Sequence, residues 1–158
     1  MKTISNSQLT IRVSPHGAEL CNIVCNGKEY LWQADPSFWK RHSPVLFPIV
    51  GSVWENEYRI DGATYNLTQH GFARDMNFEL IREQPDELRY RLADNEESRR
   101  RYPFPFRLEI GYRIQGKQIE VLWEVKNTGD KELHFQIGAH PAFYFPAFDM
   151  KSNERGYL

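Results

Sequence analysis

Apolar and polar residues alternate along most of this chain. Leu9–Val13 reads apolar, polar, apolar, polar, apolar, the period of two that marks a half-buried strand. Ala18–Cys25 follows Pro15-His16-Gly17, a turn signal. Lys28–Trp32 follows Asn26-Gly27, and Tyr58–Ile60 and Ala63–Leu67 flank Asp61-Gly62. Both dipeptides favour tight hairpins because they accept a left-handed backbone. Asn77–Arg82 and Glu87–Ala93 flank Gln84-Pro85-Asp86. Phe106–Ile114 and Gln118–Lys126 flank Gln115-Gly116-Lys117, and Leu133–Ile137 follows Asn127-Thr128-Gly129-Asp130. Short strands at this regular spacing predict an all-β fold, an antiparallel sandwich or barrel.

Helix signals are scarce. Asp35-Pro36-Ser37-Phe38-Trp39 predicts one turn, with Asp35 as N-cap and Pro36 in the first helical position. Asp94–Arg101 predicts another, acidic first and basic last as the helix dipole favours. Its arginines are either an anion site or a solvated helix end. Near the end, Gln136–Phe148 and Gly156-Tyr157-Leu158 read as strand-like. Leu158 reads as the opening of a strand, so an edge covered by further chain or by a second molecule is expected there, with association through that edge if it stays open. No repeat or linker divides the chain, so residues 1–158 are expected to form one β-sandwich domain, the N-terminal portion of a larger one.

Three stretches break the alternation. Arg41–Gly51 (RHSPVLFPIVG) is apolar but contains Pro44 and Pro48, which cannot donate to a ladder, so it is no plain central strand. His70 and His140 each lie at a strand end beside a small residue and ahead of phenylalanines. Loops in that position commonly carry function. Each histidine also has a structural reading as a satisfied half-buried side chain. His16 reads as a turn residue and His134 as part of an alternating strand, while His42 stays undecided. Trp32, Trp39, Trp54, Phe143 and Tyr144 read as core first and ligand platform second. Arg74 and Asp75 read equally well as a surface ion pair.

Composition narrows the function classes. A net charge of −1 over 158 residues argues against nucleic acid, whose binding rests on neutralising phosphates. The N-terminal MKTISNSQLTIRV lacks the apolar stretch of a signal peptide, and the uncharged run Ser43–Trp54 is too short and too broken to span a bilayer. A cytoplasmic location with no membrane partner is expected. Cys21 and Cys25, four apart in one strand, have Cα atoms roughly 13 Å apart, beyond disulfide reach. They are expected to be buried thiols. GxGxxG, P-loop and G-x-S-x-G patterns are absent. No histidine pair has metal spacing on a single element, so a metal site would need long-range convergence.

SPVLFPIVG, then G-x-x-Y-x-L-x-QHGFARD, then YPFPF, then N-T-G followed by GAHPAF resemble, in this order, the aldose 1-epimerase (galactose mutarotase-like) family. The resemblance is strongest to the branch of bacterial aldose epimerase-like proteins and hexose-6-phosphate epimerases. It implies an antiparallel β-supersandwich with a sugar in an open cleft, and interconversion of the α and β anomers of a hexose or hexose phosphate without a cofactor. Ring opening needs a proton taken from the C1 hydroxyl and one given to the ring oxygen, each step worth about 10²–10⁴-fold when a group is positioned for it. The resemblance makes His140 the general acid at the ring oxygen and His70 its partner near the anomeric centre. Arg74 resembles an arginine facing an anionic group, and Phe72 and Phe143 are expected to line the pocket. Ser52 stands where many relatives have an arginine, a role that Arg41 is expected to fill. The family's catalytic glutamate and a sugar-binding aspartate lie in a second half, so no base is assigned here. Nothing in their spacing places Glu55 or Glu57 in a cleft. The alternatives are a sugar-binding module without catalysis and a structural β domain.

Overall fold

The computed structural model describes residues 1–144 and Lys151. Two four-stranded antiparallel sheets dominate. The first joins β1 (Lys2–Ser5), β2 (Leu9–Val13), β3 (Leu20–Cys25) and β4 (Lys28–Glu29) in sequence order. Along β2, Leu9, Ile11 and Val13 are buried while Thr10 and Arg12 point away, as the alternation requires. β3 starts two residues later than expected because Gly17 and Ala18 are both left-handed, with φ of 69° and 45°. β4 is also shorter than expected, and Leu31 instead bridges to Phe143.

Three short elements follow: β5 (Val45–Leu46), β6 (Glu57–Ile60) and β7 (Ala63–Asn66), the last two forming a separate hairpin. The second large sheet contains β8 (Glu79–Glu83), β9 (Glu87–Ala93), β10 (Phe106–Gln115) and β11 (Gln118–Asn127), in the order β11-β10-β9-β8. β10 and β11 pair without a break from Phe106↔Asn127 to Gln115↔Gln118. Leu88, Tyr90, Leu108, Ile110 and Tyr112 turn inward to the core shared with β2 and β3. Full burial of such side chains stabilises by about 1.5–3 kcal/mol each. Tyr112 Oη also donates to the Ala18 carbonyl at 2.8 Å, tying one sheet to the other.

On the second sheet's outer face, Glu87 is buried among arginines. Burial alone would raise its pKa, but the Arg113 hydrogen bond and the charges of Arg82, Arg113 and Arg89 hold it below the usual carboxylate value. The helix α1 (Glu96–Arg101) is capped by Asn95, whose side chain accepts from the Ser98 amide at 2.9 Å while Ser98 Oγ accepts from the Asn95 amide. Arg99, Arg100 and Arg101 pair with Asp94, Glu96 and Glu97, so this cluster is an internally neutralised helix end. Asp35 caps its single turn as expected, its side chain accepting from the Ser37 amide at 2.9 Å.

The expected strand Leu133–Ile137 does not form; pairing starts at β12 (Gly138–Ala139), opposite β5. The cause is proline. Gln136 donates to the Pro48 carbonyl at 2.9 Å and His140 to the Pro44 carbonyl at 3.1 Å. Neither proline has an N–H to return, so a regular ladder is impossible. Ala142 continues the same alignment by donating to the His42 carbonyl at 3.0 Å. Beyond it the chain crosses to the first sheet, where Tyr144 donates to the Tyr30 carbonyl at 2.7 Å. Tyr102 Oη holds the irregular part through the His134 carbonyl at 2.6 Å.

An apolar cavity of about 590 Å³ opens between this segment and the sheets, lined by Leu20, Val45, Tyr112, Trp123, Pro141 and Phe143 among others. Several aromatics expected in the core are exposed: Phe143 and Tyr144 are each 53% exposed and Trp54 is 86% exposed. Cys21 is buried and Cys25 half-buried, both as free thiols. Among the described residues no helix is long and apolar enough to cross a membrane. The remainder of the expected terminal strand, Phe145–Phe148, and Gly156–Leu158 lie outside the described residues.

Candidate active site

The site is built on residues 69–75. His70 and Gly71 are both left-handed, with φ of 66° and 70°. Gly71 is buried against the preceding core segment, where an added Cβ would lie 2.3 Å from the Phe47 carbonyl oxygen. Only glycine fits that approach, and only glycine adopts that φ without steric cost. The Phe47 carbonyl accepts from the amides of Phe72 and Ala73 at 3.0 and 3.2 Å, while the Phe47 amide donates to the His70 carbonyl at 3.2 Å.

This wrapping fixes the His70 ring. The His70 amide donates to the Gly51 carbonyl at 2.7 Å, and the Gly51 amide donates to His70 Nδ1 at 3.0 Å. An Nδ1 that accepts carries no proton, so neutral His70 keeps its hydrogen on Nε2. The pKa of His70 is held below its ordinary value by burial first, then by the charges of Arg74 and His140. Each effect opposes a positive charge on the ring. His70 is therefore a neutral hydrogen-bond donor at physiological pH.

Arg74 sits on the short helical turn Ala73–Asp75. Its Nη2 donates to the Gln69 carbonyl at 2.6 Å. Arg41, distant in sequence, donates from Nη2 to Asp75 Oδ1 at 2.7 Å, and Arg74 Nε stands 3.8 Å from Asp75 Oδ2. That nitrogen is buried and has no hydrogen-bond partner among the described residues. Burial and the Arg41 charge lower the pKa of Arg74, with Asp75 opposing them. One carboxylate thus shares two guanidinium groups. His140 stands on the exposed side of the proline-bearing segment, with the Trp39 ring edge-on at 5.2 Å. The Trp39 backbone is held in turn by Trp32 Nε1, which donates to its carbonyl at 2.7 Å.

His70, His140, Arg74 and Arg41 therefore gather around one region. Phe72 does not join them. Phe72 is 1% exposed and packs on Tyr102 and Phe106, with the Arg101 guanidinium 4.9 Å from its ring centre. The turn at Gly71 sends it into the core, where it supports the loop from beneath. Phe143 lines the apolar cavity with Ala139 and Pro141, and a second, shallower pocket with Trp39, the ring beside His140. Three participants escaped the sequence reading: Gly51 as the anchor of His70, Trp39 beside His140, and Asp75 as a bridge. Asp75 had a signal, lying next to Arg74, but its tie to Arg41 had none.

Comparison with known proteins now bears on this geometry. The family model described as aldose 1-epimerase matches residues 1–155. The chain belongs to the aldose 1-epimerase family. It is 33% identical to the protein LacX of Lactococcus lactis subsp. lactis, over 96% of this chain and 53% of that protein. Its structure superposes on a galactose mutarotase related enzyme from Lactobacillus acidophilus with a TM-score of 0.92 and 40% identity, covering 96% of this chain and 51% of the other. A galactose mutarotase-like protein from Lactobacillus casei gives 0.88 and 35%, over 90% and 49%. The galactose mutarotase-like fold, built mostly of antiparallel sheets, is thereby established. The chain spans about half the length of the curated relatives it matches.

Proposed function

We propose that this chain contributes to an aldose 1-epimerase that interconverts the α and β anomers of a hexose or hexose phosphate by general acid/base ring opening. One observation carries the reading. His70 and His140 hang from the same proline-bearing segment, through Gly51 and Pro44, and lie close enough for His140 to lower the pKa of His70. In this reading His140 protonates the ring oxygen, for which an exposed imidazole suits. His70 donates from Nε2 to a sugar oxygen near the anomeric carbon and holds the ring against it. Arg74 and Arg41 receive an anionic substituent such as a phosphate, whose oxygens match the guanidinium fork. The base that removes the C1 hydroxyl proton is the glutamate that the family pattern carries in its second half.

A sugar-binding role without catalysis is the second reading. It is favoured by Asp75, the carboxylate within this cluster, being committed to two arginines. Polarimetry separates the two. Freshly dissolved α-glucose, α-galactose and their 6-phosphates are followed with the protein and with His140→Ala. Faster mutarotation that His140→Ala abolishes supports the epimerase. An equal rate in both overturns the role of His140. Saturable sugar binding without any acceleration replaces the epimerase reading with the binding one.

A further inference from the structure

A second constellation lies apart from the two histidines of the site. Glu19 and Cys21 are two apart at the start of β3, and His42 arrives from the segment ahead of β5. One ligand atom from each, a carboxylate oxygen, Sγ and an imidazole nitrogen, lie within 4.8 Å of one another. No pair of these residues has recognisable metal spacing on one helix or strand, so only the fold brings the three together.

The bonding around them leaves Glu19 Oε2 and His42 Nδ1 free. Glu19 Oε1 is used: it accepts from the His42 and Ser43 amides at 2.9 and 3.0 Å. Glu19 Oε2 faces His42 Nδ1 at 3.7 Å, too far for a hydrogen bond. His42 Nδ1 is buried and has no hydrogen-bond partner among the described residues. An orphaned buried nitrogen calls for an explanation such as an unoccupied ion site. Cys21 is buried and its thiol donates only weakly, to the Glu19 carbonyl at 3.3 Å.

We infer that Glu19, Cys21 and His42 form a zinc site, with carboxylate, thiolate and imidazole as three ligands and a fourth position left to water. Thiolate and imidazole together favour zinc among common divalent ions, while magnesium and calcium prefer oxygen alone. Zinc bonds of about 2.0–2.3 Å place ligand atoms a little closer together than they stand here, a contraction that side-chain rotation supplies. On binding, the Cys21 S–H proton leaves to solvent and the Zn–S, Zn–N and Zn–O bonds replace the weak thiol contact. The ion clamps residues 41–43 to β3. Arg41, the neighbour of His42, is then held in its contact with Asp75, which makes zinc a structural support for the site. This inference does not depend on which sugar is bound, or on whether one is.

The test uses zinc itself. The purified protein competes for zinc with a chromogenic chelator, beside Cys21→Ser, His42→Ala and a His134→Ala control in the segment after β11. One zinc per chain is expected, with at least a 100-fold weaker affinity in the first two variants and no change in the control. Zinc should raise the melting temperature of the wild type and the control alone. Cobalt in place of zinc should give a thiolate-to-cobalt absorption band that Cys21→Ser lacks. Failure of the wild type to compete, or equal affinity in all four proteins, overturns the site. If either variant fails to fold, a wild-type cobalt spectrum without a thiolate band overturns it on its own. Mutarotation plays no part in these readouts, so this inference and the epimerase reading fail separately.

Discussion

Two antiparallel pairings in this molecule follow opposite rules. β10 and β11 pair over their whole length, and β10 pairs again with β9 on its other side. The segment from His42 to Pro48 meets the one from Gln136 to Ala142 with bonds donated from one side where the prolines fall. The first arrangement satisfies every central backbone group within the sheet and spends its side chains on the core. The second is a ladder in which two rungs have a single bond. What it loses in pairing it gains in placement, because residues that need not sit in a regular ladder are free to present His140 and to anchor His70. The regular sheet is a platform, and the proline-bearing pair is where the candidate site is mounted.

That division breaks or sharpens under substitution. Ile110 is fully buried in β10, so Ile110→Ala is expected to cost about 2–5 kcal/mol in denaturant unfolding, while the NMR titration curve of His70 stays where it is. A displaced His70 titration would show that the two regions are one unit. Gly71→Ala should cost about 2–4 kcal/mol, combining a left-handed alanine with the overlap on Phe47. Unlike Ile110→Ala it should shift the His70 titration, and an unchanged His70 pKa would sink the claim that this turn sets the ring. The smallest effect is in pH. His70 has a folded pKa below its ordinary 6.5, so the unfolded chain binds more protons in the window just beneath that value. Stability should therefore be full above about pH 6.5 and fall as the solution is acidified toward the lowered pKa. Melting curves between pH 7 and 5 should show a shallower slope in His70→Gln than in wild type, and identical slopes would contradict the shift.

The platform was legible in the sequence and the mount was not. β9, β10 and β11 were read to within one residue at each boundary because a period of two needs only local information. Leu133–Ile137 alternates just as well, yet forms no strand, since the reason lies in Pro48 far along the chain. β1 was missed because Ile4 alone among its residues is buried. At the site, His70 and His140 could be picked out as polar residues beside small ones at strand ends, and Arg74 came only with the family resemblance. Phe72 was misplaced because direction after a left-handed pair cannot be counted by alternation. The Arg41–Asp75 link and the Glu19, Cys21 and His42 grouping depend on tertiary proximity, for which a single sequence has no marker.

The turn that opens β3 has one more role. Gly17 is buried beneath the site loop, and an added Cβ there would stand 2.8 Å from the Arg74 carbonyl oxygen. The His16-Gly17 turn and the QHGFARD loop are therefore two halves of a single mould, although they lie far apart in the chain. Transplanting QHGFARD into another scaffold would carry the histidine and the arginine but not the surface that shapes them. The motif is portable only together with its glycine counterpart, so a designer would have to move both or neither.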